Sequence, residues 1–167
     1  NCIFLDLKES FSLECPVDTC HTELNNSIII YNGNSYNAVY LPFGGNIYLY
    51  KNIIINELRN EFSTGIEARD YVNPTIQNNL ILGFGGQNIG ITQMADTSVI
   101  SNNVSAYSDG IGFKIDNGLK TVFKNNISSS NNTGIKSSYG LPIHKNYNLF
   151  WNNENNIQGV AISDSEI

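Results

Sequence analysis

Six side chains of this chain of 167 residues each lie close behind an aliphatic residue: an aromatic ring, a hydroxyl, a carboxylate and three cations. They belong to Tyr40, Glu67, Arg69, Thr92, Lys114 and Lys136. Guanidinium and ammonium groups bind carboxylates, and a tyrosine ring offers a stacking platform. If one element holds these six side chains next to one another, the set suits an acidic or neutral glycan as its ligand.

Three of these residues also admit a catalytic interpretation. Arg69 or Lys114 would act as a base beside Glu67, and a cation would lower the barrier to proton abstraction next to a uronate carboxylate. The simpler alternative is a solvated sheet face whose charges serve solubility, and the sequence favours it. We therefore lean against an enzyme, with a polysaccharide lyase, an epimerase or a glycoside hydrolase as the alternative.

Metal and cofactor chemistry has little support in the sequence. Asp70 and Asp116 could each give an oxygen to Ca²⁺, but this cation needs about six to eight oxygen ligands. His144 is the one histidine inside the repeats described below, and no nucleophile or second ligand accompanies it. The sequence predicts no metal site and no cofactor, with Ca²⁺ as a weak alternative.

The three cysteines all lie within the first twenty residues. Cys15 and Cys20 could form a small disulfide loop in an exported protein, which would leave Cys2 unpaired or bonded elsewhere. A zinc site is disfavoured because the spacing is not CxxC and no suitable histidine lies beyond His21. The odd number of cysteines leaves the compartment open and favours the extracellular space or the cell surface.

The overall charge excludes two classes of partner. A net charge of −6 and a pI near 4.7 argue against a nucleic acid backbone and against a polybasic membrane-surface role. No apolar run approaches the roughly 18 residues that a membrane span requires. Charged residues make up only 14% of the chain, so its 27 asparagines must provide much of the polar surface.

An internal repeat organises the chain. An asparagine precedes each aliphatic run at intervals of 26, 27, 24, 23 and 22 residues. These are Asn26, Asn52, Asn79, Asn103, Asn126 and Asn148. A second column follows with Gly65-Ile66, Gly90-Ile91, Gly110-Ile111, Gly134-Ile135 and Gly159-Val160. If the aliphatic residue of each pair faces inward, the residue after it faces outward, and the six candidate side chains share one face.

The repeat unit is built from short β-type runs without a helical period or a leucine-rich frame. Parallel stacking of one coil per repeat satisfies this pattern, because each strand then pairs with its equivalent in the next coil. Stacked asparagine amides can hydrogen-bond along such a column, and asparagine tolerates a left-handed corner. We therefore interpret the asparagines as a structural ladder.

Three segments, ISNNVSAYSDGIGF, FKNNISSSNNTGIKSS and NYNLFWNNENNIQGVAI, resemble coils of the right-handed parallel β-helix superfamily, which includes pectate-lyase-like enzymes. The resemblance covers residues 23–162. It implies an all-β, right-handed parallel β-helix, a solenoid of about six to seven coils with an internal asparagine ladder. It implies no particular activity, because no catalytic motif of one enzyme subfamily is matched.

The predicted organisation is an N-terminal partial coil or cap with the cysteine pair over 1–22 and β-helix coils over 23–167. We expect a piece of a longer chain, or a protomer whose solenoid end is covered by a partner. Of four N-x-[ST] sequons, Asn131 is the one predicted to be glycosylated, because it falls in a loop.

The predicted function is that of an exported or cell-surface β-helix module that binds carbohydrate or has a structural role. Its expected partner is a polysaccharide or a cell-surface glycan, with no nucleic acid and no membrane span. Two alternatives stay open. One is a polysaccharide-active enzyme domain, and the other is a filament or surface-layer unit that self-associates through the ends of the solenoid.

Overall fold

Short runs of β-branched and aromatic residues, separated by asparagine and glycine, form the strands of this molecule. The computed structural model describes residues 2–14, 21–33, 36–92, 97–116, 121–138 and 144–160. The strands are β1 (Ile3–Leu7), β2 (Phe11–Ser12), β3 (His21–Asn25), β4 (Ile28–Tyr31), β5 (Asn37–Leu41), β6 (Asn46–Tyr50), β7 (Ile53–Asn56), β8 (Thr64–Ala68), β9 (Asn73–Gln77), β10 (Leu80–Leu82), β11 (Gln87–Ile91), β12 (Ser98–Ser101), β13 (Val104–Ala106), β14 (Ile111–Ile115), β15 (Thr121–Lys124), β16 (Ile127–Ser129), β17 (Thr133–Lys136), β18 (His144–Asn146), β19 (Leu149–Trp151) and β20 (Asn155–Gln158).

Every third strand joins the same parallel sheet. Sheet A contains β1, β4, β7, β10, β13, β16 and β19, and sheet B contains β2, β5, β8, β11, β14, β17 and β20. Sheet C contains β3, β6, β9, β12, β15 and β18. No helix occurs in the described part of the chain, so none there is long and apolar enough to cross a membrane. The predicted all-β parallel solenoid is confirmed.

The core consists of side chains stacked in register from coil to coil. Sheet B contributes Val39, Ile66, Ile89, Phe113 and Ile135, and sheet C contributes Leu24, Leu49, Ile76, Ile100 and Phe123. Burying an aliphatic or aromatic side chain of this size contributes about 1.5–3 kcal/mol. The coils are therefore stabilised mainly by contacts with the coils above and below them.

An asparagine column crosses the corner between sheets C and A. Its members are Asn52, Asn79, Asn103, Asn126 and Asn148. From Asn79 onward, each Oδ1 accepts both the backbone N–H and the side-chain amide of the preceding member, at 2.9–3.1 Å. Each Nδ2 also donates to a backbone carbonyl of sheet C. The column thus supplies hydrogen-bond partners to the polar groups at a buried corner.

The prediction that Asn26 belongs to this column is wrong. Ser27 takes the place, and its backbone N–H donates to Asn52 Oδ1 at 3.1 Å. Asn26 has a φ of 49° and aligns with Lys51, the residue before Asn52, which has a φ of 55°. The corner therefore needs a left-handed residue followed by the column residue, and the column in the first coil requires only a backbone donor.

The outer faces of the three sheets differ in polarity. On sheet A, from β4 to β19, eleven of the twelve outward residues are apolar and none is ionisable: Ile28, Ile30, Ile53, Ile55, Leu80, Leu82, Val104, Ala106, Ile127, Ser129, Leu149 and Trp151. Side chains that could recognise a polar ligand lie on sheets B and C instead.

Candidate functional site

An open groove of about 350 Å³ lies over the outer face of sheet B. Its floor includes Thr64 and Gln87, which are aligned on β8 and β11. Glu67 lies three residues after Thr64 on β8, and Lys114 lies on β14. Tyr36 and Phe62 lie at its rim, with exposed fractions of 71% and 72%. The groove therefore combines large exposed rings with hydrogen-bonding side chains.

The wall of the groove is the turn of residues 57–63 between β7 and β8. It has seven residues, whereas residues 83–86 and 107–110 form the equivalent turns of the next two coils with four residues each. Asn56 Oδ1 accepts the backbone N–H groups of Leu58 and Arg59 at 3.0 and 3.2 Å. Asn60 Nδ2 donates to Gly33 O at 2.8 Å. The first two bonds shape the turn itself, and the third holds it against the preceding coil.

A buried carboxylate and its cation lie on the groove floor. Glu67 is 5% exposed, and both Nε and Nη2 of Arg69 lie 2.7 Å from its Oε1. The guanidinium carbon is 5.7 Å from the ring centroid of Tyr40. The hydrogen bond to Glu67 raises the pKa of Arg69, so this side chain stays protonated.

The six predicted ligand-binding residues do share one face, in two rows. Tyr40, Glu67, Lys114 and Lys136 align across successive strands, with Gly90 between Glu67 and Lys114. Arg69 and Thr92 directly follow the aligned pair Ala68 and Ile91, so they lie in the next row. Lys114 Nζ lies 3.4 Å from Asp116 Oδ2.

The alternation that placed Ile91 and Ile111 level with Ile66 is wrong. Ile89 and Phe113 occupy that level, Ile91 pairs with Ala68, and Ile111 pairs with Gln87. In the last coil, Ile157, rather than Val160, pairs with Ile135. These coils carry two isoleucines or two glycines spaced two residues apart, so the alternation of inward and outward residues fits two strand registers. The length of the preceding turn selects one of them.

Residues 17–166 match the family model described as the right handed beta helix region. This chain belongs to the right-handed β-helix family. Neither the curated proteins nor the solved structures contain a match to it. Membership establishes the fold of this β-helix, whereas ligand and reaction have to be argued from its own side chains.

The arrangement on this β-helix suits binding better than proton abstraction. Glu67 and Arg69 engage each other, and Lys114 lies two strands away from Glu67, about 10 Å at the usual strand spacing. No group of three His, Cys, Asp or Glu that could hold a metal ion occurs in the described ranges. The Asp116 carboxylate is engaged within the protein, because its Oδ1 accepts the backbone N–H of Ser138 at 2.7 Å.

The exposed loop position on which the predicted glycosylation of Asn131 rests is wrong. Its side chain is buried, and its Nδ2 donates to Ser105 O at 3.1 Å and to Ser128 Oγ at 2.9 Å. Its Oδ1 accepts the backbone N–H of Ser108 at 2.9 Å. Asn131 follows the left-handed residue Ser130 and belongs to a second asparagine corner, not to an exposed loop.

The structure describes one of the three cysteines. Cys2 is exposed and carries a free thiol. Cys15 and Cys20 lie outside the described residues, so their predicted disulfide stays a prediction.

The groove residues that sequence reasoning missed are Tyr36, Asn37, Glu61, Phe62, Thr64 and Gln87. The signal that could have found several of them is the long interval between the aliphatic run of β7 and Ile66. Such an interval predicts a protruding turn.

Removing the cation from the buried pair should destabilise this β-helix. Arg69→Ala leaves the Glu67 carboxylate buried without its partner, and we expect the free energy of unfolding to fall by about 1–2 kcal/mol, since Arg69 itself is half exposed. Equilibrium denaturation in urea measures the change. The double variant Glu67→Gln, Arg69→Ala should regain part of it, and an equal loss in both variants would contradict a role for the unpaired charge.

Proposed function

We propose that this β-helix is a carbohydrate-binding module whose ligand lies along the groove on sheet B. The observation that carries the proposal is the combination of Tyr36 and Phe62 at an open rim with Thr64 and Gln87 on the floor. Aromatic rings stack against the apolar faces of sugars, and hydroxyl and amide groups exchange hydrogen bonds with sugar hydroxyls. A groove open at the surface admits a polymer.

The charged side chains on the outer face of sheet B, apart from Glu61 in the wall of the groove, support a glycan that is neutral or carries carboxylates. Glu67 and Arg69 neutralise each other, and Lys114 is paired with Asp116. Lys136 pairs in register with Lys114 on the next strand and forms no ion pair in the described part of the chain. Lys136 therefore offers a uronate carboxylate a cation at one end of the row. With such a polymer as its ligand, the module is proposed to act outside the cell or at its surface.

Binding is tested by a glycan array followed by calorimetry on the best neutral and uronate-containing polysaccharides. We expect Phe62→Ala to weaken binding about five- to tenfold through the loss of ring stacking. The matched control is Phe43→Ala, because this ring is also exposed but lies between β5 and β6, outside the groove. Equal losses in the two variants, or none in Phe62→Ala, would overturn the assignment of the groove.

The enzyme alternative rests on the same Glu67, Arg69 and Lys114. A turnover screen on uronate-containing polysaccharides, followed by the absorbance of the unsaturated product, separates the two functions. We expect binding without turnover. Product formation that disappears in Lys114→Ala would identify a lyase and displace the binding module.

A further inference from the structure

One row on the outer face of sheet B contains a glycine among large side chains. The row aligns Tyr40, Glu67, Gly90, Lys114 and Lys136 on successive strands. Gly90 does not have a positive φ, so its backbone conformation does not require glycine. What the missing side chain provides is space above the strand, between Glu67 and Lys114.

The side chain of Gln87 occupies this space. A Cβ on Gly90 would lie 2.8 Å from Gln87 Cδ, 3.4 Å from its Oε1 and closest of all to its Nε2. The amide group of Gln87 therefore lies directly over Gly90, although the two residues are three positions apart on β11. An alanine at position 90 would displace this amide.

The amide lies on the groove floor between two charged residues. Gln87 lines the groove, and so do Glu67 and Lys114, the neighbours of Gly90 in the row. Adjacent strands are about 4.8 Å apart, so a carboxylate side chain and an ammonium side chain begin about 5 Å to either side of the amide. Along the solenoid axis, the floor thus presents an acceptor, a combined donor and acceptor, and a donor.

These floor residues have hydrogen-bonding capacity that the described part of the protein does not use. The Gln87 amide is partly exposed and forms no hydrogen bond to a described residue. Both Arg69 donors engage Glu67 Oε1, so Oε2 has no such partner there either. Asn37, two strands from Gln87 and level with it, also lines the groove, and its Oδ1 is buried without a hydrogen-bond partner. The floor therefore suits a ligand rich in hydroxyl groups.

We infer that Gln87 is a specificity-determining residue of the groove, that Gly90 positions it, and that the pair selects a sugar unit with two neighbouring free hydroxyl groups. One hydroxyl donates to Gln87 Oε1 while its neighbour accepts from Nε2, because a primary amide offers both groups in one plane. A glycosidic bond at one of the two carbons removes one hydroxyl of the pair and with it one hydrogen bond. The inference rests on the carbohydrate-binding function proposed for the groove.

The test is calorimetry on the whole chain with three hexaoses, each added separately. The β-1,4-linked hexaoses of glucose and of mannose have free hydroxyls on carbons 2 and 3 of each unit, whereas the internal units of the β-1,3-linked glucose hexaose have no neighbouring pair. We expect at least one β-1,4-linked hexaose to bind about fivefold more tightly than the β-1,3-linked one. Equal or tighter binding of the β-1,3-linked hexaose, or no binding of any of the three, would overturn the inference.

Two variants test the roles of Gln87 and Gly90. Gln87→Met keeps the length of the side chain but removes the amide, so it should lower affinity for the preferred hexaose about fivefold and abolish the preference. Gly90→Ala should abolish the preference too, although Gln87 is still present, and should leave the melting temperature within a few degrees of the parent. A preference that survives in Gln87→Met would overturn the inference, and one that survives in Gly90→Ala would overturn the positioning role of Gly90.

Phe62→Ala separates a failure of this inference from a failure of the groove. Ring stacking does not depend on a hydroxyl pair, so this variant should weaken the binding of all three hexaoses alike and keep the preference. Binding that weakens in Phe62→Ala, together with an unchanged preference in Gln87→Met, would support the groove and overturn the role of Gln87.

Discussion

Replacing Asn103 by alanine is expected to lower the free energy of unfolding by about 3–5 kcal/mol. Asn103 is fully buried, and its Oδ1 accepts both the backbone N–H and the side-chain amide of Asn79 at 3.0 Å. Its Nδ2 donates to Ile76 O at 2.8 Å and to Asn126 Oδ1 at 3.1 Å. Alanine removes all four of these hydrogen bonds, leaves the buried backbone N–H of Asn79 without its acceptor and opens a cavity between three coils.

The matched control for Asn103→Ala is its neighbour Asn102. This residue is exposed and has a φ of 56°, which glycine adopts without strain. Asn102→Gly should change the free energy of unfolding by no more than about 1 kcal/mol. Urea denaturation followed by far-ultraviolet circular dichroism measures both variants. Similar losses at the two positions would show that the buried column contributes nothing beyond the corner conformation.

The second large effect is expected at Gly65, where the backbone passes against the core. A Cβ at this position would lie 2.5 Å from the backbone oxygen of Asn88 and 2.6 Å from Ile81 Cγ2. Gly65→Ala should therefore lower the free energy of unfolding by about 2–3 kcal/mol, because the backbone and a packed side chain must both move.

Gly90 on the neighbouring strand of the same sheet provides the comparison. A Cβ there would meet the side-chain amide of Gln87, and this flexible side chain can turn away. Gly90→Ala should stay within about 1 kcal/mol of the parent. A loss at Gly90 as large as that at Gly65 would contradict the register that turns Gly65 inward and Gly90 outward.

The solenoid could be predicted from sequence because each coil repeats the same corner. A left-handed residue followed by a buried amide recurs at Asn78-Asn79, Asn102-Asn103 and Asn125-Asn126, and both requirements favour asparagine. In the first coil the buried position is filled by Ser27, whose backbone N–H is sufficient. The sequence prediction therefore assigned Asn26 to the column, because residue type alone does not show which residue of the corner is left-handed and which is buried.

The candidate site on sheet B was less accessible to sequence reasoning. The alternation of inward and outward residues correctly assigns Glu67 and Lys114 to one face of sheet B. It cannot decide whether Gly90 or Thr92 lies level with them on the strand between. The rim residue Phe62 depends on a turn of seven residues whose path is fixed by side-chain hydrogen bonds to its backbone.

The most direct test of the account is an NMR titration with the polysaccharide that the glycan array ranks first, using oligomers short enough for resolved spectra. Binding in the groove predicts shifts of the backbone amides of Thr64, Gly86 and Gln87, with Leu80 and Val104 on the outer face of sheet A unchanged. If every glycan that binds leaves those three groove amides unshifted, the groove on sheet B is not the carbohydrate site.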